Sequence, residues 1–574
     1  MRLSVISRPT FTALLVCLAL SAPAMAATVS FGELTAPVTL HGTAREATEP
    51  GSDQSALVLD GAAGSYAGVA VPDSWKPVSF RVQVRFRLDE RRGGTVPLSW
   101  PGCFCVYVDG QGRLRVLLET QSGRLAGSYE QALPLGQDLE VSFEYRASDL
   151  CLLYVNGRSV VSLRGRGPLK RGGPELWLGR YQYRDEKTGQ DQDAWMKGTV
   201  SQARLSALPD DDRYQMDTTG LTNAINVSFG DAIVVGKGWR QLNRPEHALE
   251  LVRECQRRGV KKVFLRCDQE YILEFCERRM PPDHWYMKAL AQVQGDMHAE
   301  ILRQCHAAGI KVYAYQTIFD CGSPSSVLYG GASPFPWEAR FTIEHPEYLM
   351  ESRDGKQRQY GVLCYAYPQA REYMVGVLRH LMAKWDFDGL YLCTRTHSQP
   401  ADFADQFGYN EPVVQEYRRR YGKDLRTEEF SRPEWYDLLG EGLTQLLRDA
   451  RQAIPGKEVV VAMPRSDTIG PPYGNMRLDW RRWCEEKLVD GLVVGVITGG
   501  WHYPNSMHRP GYVQSEQDEV AMRPLEQDLR EYFGPTCKAA GVELYLSRTS
   551  IYSDVDRDLL KLPGMTGFMT YLEP

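Results

Sequence analysis

Residues 297–317 read MHAEILRQCHAAGIKVYAYQT and contain the pattern that organises the second half of the chain. Apolar residues recur at helical spacing until Gly309 stops the helix, and an apolar run typical of a buried strand begins at Lys311. The same transition from helix to glycine to strand occurs at Gly259 and at Gly541. A glycine that ends a helix just before a strand is expected where βα units repeat along a chain.

Strand and helix patterns alternate in this way from residue 222 to residue 574. We expect eight strands separated by amphipathic helices, which fits a (β/α)8 TIM barrel better than an open parallel sheet. The expected strands are Ala232–Val235, Lys262–Cys267, Lys311–Ile318, Gly389–Cys393, Val459–Met463, Gly491–Val496, Val542–Leu546 and Gly567–Tyr571.

Residues 27–207 have a different sequence pattern, in which short runs of alternating apolar and polar residues are separated by turns. Ser79–Leu88 and Asp138–Tyr145 alternate apolar with polar residues, and Asp109-Gly110 and Asn156-Gly157 are strong hairpin turns. Almost nothing in this region has the period of a helix. We therefore predict an N-terminal antiparallel β-sandwich of the jelly-roll type.

Three segments of this region resemble a known fold family. Glu140-Val-Ser-Phe-Glu-Tyr145 followed by Leu152-Leu-Tyr-Val-Asn-Gly-Arg158 resembles the central hairpin of concanavalin A-like, laminin-G-like domains, and Leu176-Trp-Leu-Gly-Arg180 agrees with it. The resemblance implies a sandwich and leaves the function open, because this fold serves in lectins, enzymes and spacers alike. Tyr154 and Trp177 are expected to be aromatic residues of its core.

The first 26 residues have the features of a cleavable signal peptide. Arg2 and Arg8 give a positive start, Phe11–Leu20 is nearly all apolar or small, and Ala24-Met-Ala26 has the small-x-small pattern of a cleavage site. We therefore expect cleavage before Ala27 and export to the periplasm or the medium. No later segment is apolar enough to span a bilayer, so no membrane insertion is expected.

The composition excludes several function classes. The chain is 43% apolar and 24% charged, as in folded domains. Its net charge is −5 and it has no run of basic residues, so the sequence shows no basic surface of the kind that binds nucleic acid. No HExxH, GxSxG, Walker or dinucleotide-binding GxGxxG motif occurs, and the ten histidines do not cluster with metal-ligand spacing. We therefore expect neither a cofactor nor a metal.

In a (β/α)8 barrel the active site lies at the carboxyl ends of the strands, so the polar residues there are the candidates. Arginines and carboxylates make paired hydrogen bonds to vicinal hydroxyls, and aromatic faces stack on sugar rings, so this rim suits a carbohydrate. For any single residue, an ordinary strand-end salt bridge, such as Arg266 with Asp268, is the competing interpretation. The candidates are Arg266, Asp268, Glu270, Tyr315, Arg395, His397, Arg465, Asp467, Trp501, Arg548 and Glu573.

A second resemblance supports this interpretation. Asp386-Phe-Asp-Gly-Leu-Tyr-Leu-Cys393, with Phe407-Gly-Tyr-Asn-Glu411 and His345-Pro-Glu-Tyr-Leu349, resembles the family-10-like glycosylhydrolases. The resemblance covers residues 222–574 and implies a barrel of the carbohydrate-active type.

The fourth expected strand departs from the usual glycosidase pattern. Barrel glycosidases commonly carry an acid or nucleophile at this point, whereas here the strand ends in Cys393, Thr394, Arg395 and His397. Alternation places Cys393, Arg395 and His397 on one face, which we expect to point into the barrel.

Two hypotheses follow for the function. The first is a glycoside hydrolase with a general acid among Asp268, Glu270 and Glu573, and with Asp467 as base or nucleophile. Its substrate contacts would come from Arg266, Tyr315, Arg395, His397, Arg465, Trp501 and Arg548. The second is a non-catalytic carbohydrate-binding or cell-surface scaffold protein with a degenerate barrel, which the missing carboxylate on the fourth strand favours. The carboxylates elsewhere on the rim favour the enzyme.

The expected domain boundary is testable by limited proteolysis. Residues 208–221 are polar and rich in turn formers, and we expect them to link a sandwich at residues 27–207 to a barrel at residues 222–574. The first cut should therefore fall between residues 208 and 222, because cleavage concentrates in such linkers. Mass spectrometry of the fragments locates the cut, and a first cut elsewhere would contradict the boundary.

Overall fold

The chain folds as two compact units. Among the described residues, one contains 28–161 and 165–209, and the other contains Ser162–Arg164 and the chain from Tyr214 onward. No helix among the described residues is long and apolar enough to cross a lipid bilayer. The computed structural model describes residues 28–31, 34–48, 55–91, 94–147, 149–165, 167–184, 191–209, 214, 218–234, 236, 241–267, 276–278, 282–322, 338–394, 405–465, 467–469, 476–495, 524–548 and 551–572.

The first unit is a β-sandwich, as the alternating strands predict. Most neighbouring strands are antiparallel, and Thr28–Phe31 runs parallel to Lys197–Leu208. The larger sheet has nine strands, of which seven follow the order Arg158–Arg164, Leu150–Val155, Asp138–Tyr145, Ser79–Leu88, Lys197–Leu208, Thr28–Phe31, Leu34–Ala36. Of the other two, Ser55–Asp60 pairs with Lys197–Leu208, and Arg45–Thr48 pairs with Ser55–Asp60. The second sheet has the order Gly123–Ala132, Arg113–Thr120, Phe104–Val108, Thr95–Trp100, Glu175–Leu178, Tyr66–Ala70, Val38–His41, and a separate hairpin pairs Arg180–Arg184 with Asp191–Trp195.

Aromatic rings from the two sheets meet in the sandwich core. Phe80 and Phe143 of the larger sheet pack against Phe104 of the smaller sheet, with ring centroids 6.1 and 5.2 Å away. The packing of the two sheets buries the apolar residues that alternate along each strand. This alternation is the pattern from which the sandwich was predicted.

Trp177 lies outside this core, so the expectation for it is wrong. Its neighbours Leu176 and Leu178 are buried, and alternation therefore turns Trp177 to the outer face of the sheet. There the guanidinium carbon of Arg180 lies 4.2 Å from the centroid of its ring. Tyr154 is half-buried rather than buried.

The second unit is a closed barrel of eight parallel strands, which confirms the predicted TIM-barrel architecture. Each strand pairs with the next along the chain, and the last pairs with the first. The strands are β1 (Asn223–Val227), β2 (Val260–Arg266), β3 (Lys311–Thr317), β4 (Gly389–Cys393), β5 (Glu458–Met463), β6 (Gly491–Val494), β7 (Glu543–Ser547) and β8 (Met565–Tyr571).

Helices and small sheets connect the barrel strands. The α-helices in the described residues are Pro245–Arg257, Trp285–Leu290, Met297–Ala307, Arg340–Glu344, Pro368–Lys384, Glu411–Tyr421, Arg432–Ala453, Trp480–Glu485, Leu525–Gln527, Gly534–Ala540 and Asp554–Leu559. Phe229–Val234 and Asp528–Phe533 are π-helical, and Pro346–Tyr348 is a 3-10 turn. Three two-stranded sheets pair Cys276–Arg278 with Glu338–Ala339, Leu349–Glu351 with Arg358–Leu363, and Thr468–Ile469 with Met476–Arg477.

The first barrel strand is not the expected one, because Ala232–Val235 begins inside a π-helix and β1 lies earlier. Two asparagines make β1 look polar. Asn223 is nevertheless fully buried, since its amide donates to the carbonyl of Arg258 at 2.7 Å and its Oδ1 accepts from the backbone N–H of Phe568 at 3.0 Å. The side chain thereby joins β8 to the segment that precedes β2, and both of its polar atoms are satisfied.

Aromatic rings fill the interior of the barrel. Phe264, Tyr313, Tyr315, Tyr391 and Tyr545 all belong to one buried cluster. Phe264 stacks on Tyr391 with centroids 4.0 Å apart and meets Tyr313 edge to face at 5.6 Å. The interior is therefore a packed core, as in other barrels of this architecture.

Charged side chains close the amino-terminal end of the barrel. Lys262 on β2 forms ion pairs with Glu458 on β5, at 2.8 Å, and with Glu543 on β7. Burial alone would raise the pKa of Glu458, but hydrogen bonds from Lys262, Lys311 and Tyr313 outweigh it and lower this pKa to about 2. The carboxylate is therefore ionised at neutral pH and links β2, β3 and β5.

Replacing Glu458 with Gln should lower the free energy of unfolding at neutral pH by about 1–3 kcal/mol, because charged hydrogen bonds are lost. The pKa of Glu458 in the folded barrel, about 2, lies below the ordinary value of 4.5 that it has when unfolded. Its contribution is therefore complete above the ordinary value and is lost as the pH falls through the folded one. Urea unfolding at several pH values measures this difference, which should shrink on acidification.

Glu441→Gln is the matched control for this experiment, because it removes a carboxylate from an exposed pair with Arg420. Exposed pairs contribute little, so this variant should stay within about 1 kcal/mol of the wild type. An equal loss in both variants would contradict the assigned role of Glu458.

Candidate active site

The mouth of the barrel is the end at which the eight parallel strands finish. Phe264 and Tyr313 belong to the interior cluster, so alternation directs Arg266 and Tyr315, two residues further along, to the interior side of the mouth. Tyr315 belongs to the same cluster, and Tyr571 of β8 packs against it.

Arg266 lies between a carboxylate and an aromatic ring. Its Nη2 is 3.7 Å from Oδ2 of Asp320, and its guanidinium carbon is 5.5 Å from the ring centroid of Tyr315. The Asp320 side chain is 1% exposed and that of Arg266 is 13% exposed, so the arginine is the member of the pair that a ligand can reach. A guanidinium has five N–H donors in a plane, and a buried carboxylate on one side sets the direction of the others.

The expected site residues did not include Asp320. It follows the end of β3 by three positions, in the loop rather than at the end of the strand itself. An acidic residue in a loop that directly follows a barrel strand is the signal that could have identified it.

A histidine outside the barrel fixes the end of β2. His298 is buried, and its Nε2 donates to the carbonyl oxygen of Arg266 at 3.1 Å. Its ring stacks against Phe229 and against Trp385, with centroid distances of 5.1 and 4.6 Å. The backbone of Arg266 is thus held by a side chain that is itself fixed by packing.

The ends of β2 and β8 lie on either side of β1, as the order of the strands predicts. Phe264 of β2 and Tyr571 of β8 are both in register with Asn226 of β1. Next to them, the hydroxyl groups of Ser547 and Tyr571 are 3.4 Å apart. Residues that follow β2 and β8 in the chain therefore start from positions of the rim that are separated by one strand, β1.

Arg465, which follows β5, is paired with the connection between β6 and β7. Its Nε is 2.8 Å from Oδ2 of Asp528, whose side chain is fully buried. Asp528 begins the π-helix Asp528–Phe533, and π-helical turns are frequent near functional sites. Arg465 has a structural partner here, and its contact with substrate stays a prediction.

Asp467 is held by donors from two helical segments. Trp480 Nε1 donates to Oδ1 at 2.6 Å, the hydroxyl of Tyr532 donates to Oδ2, and Arg481 Nη1 is 3.5 Å from Oδ1. Burial and the hydrogen bond to Asp467 raise the pKa of Tyr532, so this hydroxyl keeps its proton. Both carboxylate oxygens thus have donors, and the role of Asp467 as base or nucleophile stays a prediction.

Arg548, which follows β7, forms an ion pair with the helix Asp554–Leu559. Its Nη2 is 2.8 Å from Oδ1 of Asp556, a residue that also completes a capping box with Ser553. The Arg548 side chain is 35% exposed, more than that of Arg266 or Arg465. It is therefore accessible to a ligand at this rim.

Six expected site residues lie outside the described residues, and their roles stay predictions. Just before Arg395 and His397 in the chain, Cys393 belongs to the interior cluster and Thr394 Oγ1 donates to the carbonyl of Ala462 at 2.9 Å. Among the described residues, no group of three or more His, Cys, Asp and Glu side chains is arranged to hold a metal. The six residues are Asp268, Glu270, Arg395, His397, Trp501 and Glu573.

The model of the family Glycosyl hydrolase-like 10 matches residues 283–507, which is less than half of the chain and includes β3 to β6. The match supports a carbohydrate-related protein. A comparison with curated proteins finds no match.

Solved structures resemble parts of the chain at low overall similarity. The binding domain of botulinum neurotoxin serotype G is 10% identical, with 31% of this chain and 44% of that chain covered and a TM-score of 0.24. Domain 4 of an extracellular arabinanase from Geobacillus stearothermophilus, solved with arabinotriose, is 18% identical, with 30% and 81% covered and a TM-score of 0.23. The chain thus spans less than half the length of the neurotoxin domain.

Replacing Arg465 with Met tests whether its pair with Asp528 is structural. We expect the free energy of unfolding to fall by about 3 kcal/mol, because the Asp528 carboxylate stays buried without its cation. The double variant Arg465→Met with Asp528→Leu should recover most of this loss. Arg420→Met, which breaks a pair with the exposed Glu441, is the control and should cost less than about 1 kcal/mol. Urea unfolding measures all three, and a stable Arg465→Met variant would contradict the structural role.

Proposed function

We propose that this protein is an exported glycoside hydrolase that cleaves a polysaccharide or oligosaccharide at the mouth of its barrel, with the β-sandwich as an accessory lectin-like domain. The observation that carries the proposal is the arrangement of Arg266, Asp320 and Tyr315 at the ends of β2 and β3. The family match supports it, because the matched residues include β3 and Asp320.

In this proposal Arg266 is one of the residues that bind the sugar. Its guanidinium hydrogen-bonds two neighbouring hydroxyls, a contact for which its planar set of donors is suited. Tyr315 is 1% exposed and lies beside the guanidinium, so it positions Arg266 rather than stacking on the ligand. Asp320 sets the orientation of the same group.

The reaction itself needs two carboxyl groups on opposite sides of the glycosidic bond. One protonates the leaving oxygen, and the other activates a water molecule or attacks the anomeric carbon. The proposed general acid is Asp268, Glu270 or Glu573. These residues follow Arg266 by two and four positions and Tyr571 by two, and β2 and β8 flank β1. Carboxylates from these two ends would repel each other, which raises one pKa and keeps that group protonated as the acid.

A non-catalytic carbohydrate-binding protein is the second candidate. The observation in its favour is that Asp467, the proposed base or nucleophile, accepts hydrogen bonds on both oxygens from Trp480 and Tyr532. A carboxylate whose two oxygens both accept hydrogen bonds from the protein is a weaker nucleophile than one with a free oxygen. Release of reducing ends from a polysaccharide panel distinguishes the two candidates, because a binding protein releases none.

The acid is identified by three isosteric variants, Asp268→Asn, Glu270→Gln and Glu573→Gln. At least one should lower turnover by about 100-fold or more while the unfolding transition is unchanged, because loss of a positioned acid removes a contribution of that size. Glu441→Gln, on the exposed helix surface, is the control and should keep full activity. Full activity in all three variants would remove the acid from this rim, and a wild type that binds glycans without releasing reducing ends would favour the second candidate.

A further inference from the structure

A stack of aromatic rings borders a cleft in the connection between β3 and β4. The ring of Phe341 is parallel to that of Tyr373, with centroids 4.1 Å apart and planes within 4°, and it lies 5.5 Å from Tyr348 at 17°. All three residues are half-buried. The cleft has a volume of about 340 Å³ and is lined by Phe341, His345, Tyr348, Gln369, Glu372 and Tyr373.

The connection that carries the cleft is anchored at the mouth of the barrel. The N–H of Ala339 donates to the carbonyl of Cys321 at 3.0 Å, and the hydroxyl of Tyr365 donates to the carbonyl of Ile318. These two bonds attach the segments on both sides of the cleft to residues 318–321, which contain Asp320. The cleft therefore belongs to the same end of the barrel as Arg266.

The lining of the cleft combines ring surfaces with hydrogen-bonding groups. Gln369, Glu372 and Tyr373 follow one another at positions i, i+3 and i+4 of the helix Pro368–Lys384, so they share one of its faces. Aromatic surface packs against the apolar face of a pyranose, while an amide and a carboxylate can bind its hydroxyl groups.

The charge around the cleft selects among glycans. Glu344, Glu347 and Glu372 are exposed, and Arg340 is the exposed cation on the same short helix. Among the described residues near the cleft, Arg358 forms an ion pair with Glu351, and Arg371 forms one with Asp449. A surface with this excess of carboxylates repels uronic, sulfated and sialylated glycans and tolerates neutral ones.

We propose that this aromatic cleft binds a pyranose residue of a neutral glycan and acts as an outlying subsite for the chain held at the barrel mouth. Its link to cleavage rests on the proposed function, whereas binding in the cleft depends only on its own residues.

The test is isothermal titration of the full chain with four hexasaccharides: cellohexaose, xylohexaose, mannohexaose and hexagalacturonate. At least one neutral hexasaccharide should bind, and Tyr348→Leu and Tyr373→Leu should each weaken this binding about tenfold through loss of ring contact. Tyr421→Leu, an exposed tyrosine on another helix, is the matched control and should bind like the wild type. Glu372→Lys should strengthen binding of hexagalacturonate by reversing one charge.

Each result decides the inference. If no neutral hexasaccharide binds, if hexagalacturonate binds the wild type more tightly, or if both folded tyrosine variants bind like the wild type, the inference is overturned. Should the tyrosine variants fail to fold, Gln369→Ala and Glu372→Lys replace exposed side chains and still test the cleft. Reducing-end release is measured in parallel: tyrosine-dependent binding without release supports the cleft and contradicts the proposed hydrolase, and release without tyrosine-dependent binding does the reverse.

Discussion

Closure of the barrel between β8 and β1 is the constraint on which the geometry of the mouth depends. The buried amide of Asn223 contributes to this seam by bonding to the backbone of Phe568 and of Arg258. At the other end of β1, the N–H of Leu572 donates to the carbonyl of Asn226 at 2.9 Å. Only because these bonds close the sheet do the ends of β2 and β8 lie next to the same strand, which brings distant parts of the sequence to one rim. An apolar residue at position 223 would fill the same space and leave two backbone groups unpaired.

The two ends of the barrel use charge in different ways. At the amino-terminal end, Lys262 is almost buried and has two carboxylate partners, so its charge is compensated within the protein. At the mouth, Arg266 lies at a longer distance, 3.7 Å, from the buried carboxylate of Asp320, and 13% of its side chain is exposed. Buried ion pairs add little net stability, because desolvation offsets most of the attraction. The ion pairs of Lys262 at the closed end therefore serve to hold the strands in place. At the mouth, Asp320 orients the guanidinium of Arg266 for contact with a ligand.

The architecture was largely predictable from local patterns. Helices that end in Gly309 or Gly541 and alternating strands in the first unit are properties of neighbouring residues, and the structure has both. The first barrel strand was not predictable in this way, because Asn223 and Asn226 make β1 look polar and their partners are distant in sequence. Trp177 shows a similar limit, since an aromatic residue suggests a core while the period of its strand turns it outward.

The candidate site was predictable only in part. That Arg465 and Asp467 follow the end of a strand is visible in the sequence, but their partners Asp528 and Tyr532 belong to a connection more than sixty residues later. Local patterns place a polar group on the rim and do not report which other group neutralises it. For the same reason the sequence did not identify Asp320 as a site residue. Asp320 follows β3, and its role depends on its proximity to Arg266 at the end of the neighbouring strand β2.

The filled interior of the barrel has a consequence for any polymer that binds. Phe264, Tyr313 and Tyr391 occupy the axis, and the ion pairs of Lys262 close the opposite end. A glycan therefore cannot pass through the barrel. It has to bind and dissociate at the mouth. Its chain must run tangentially across the rim, so the number of sugar units in contact depends on the loops and not on the depth of the barrel. Lengthening or shortening those loops would change the preferred chain length while the eight strands stay the same.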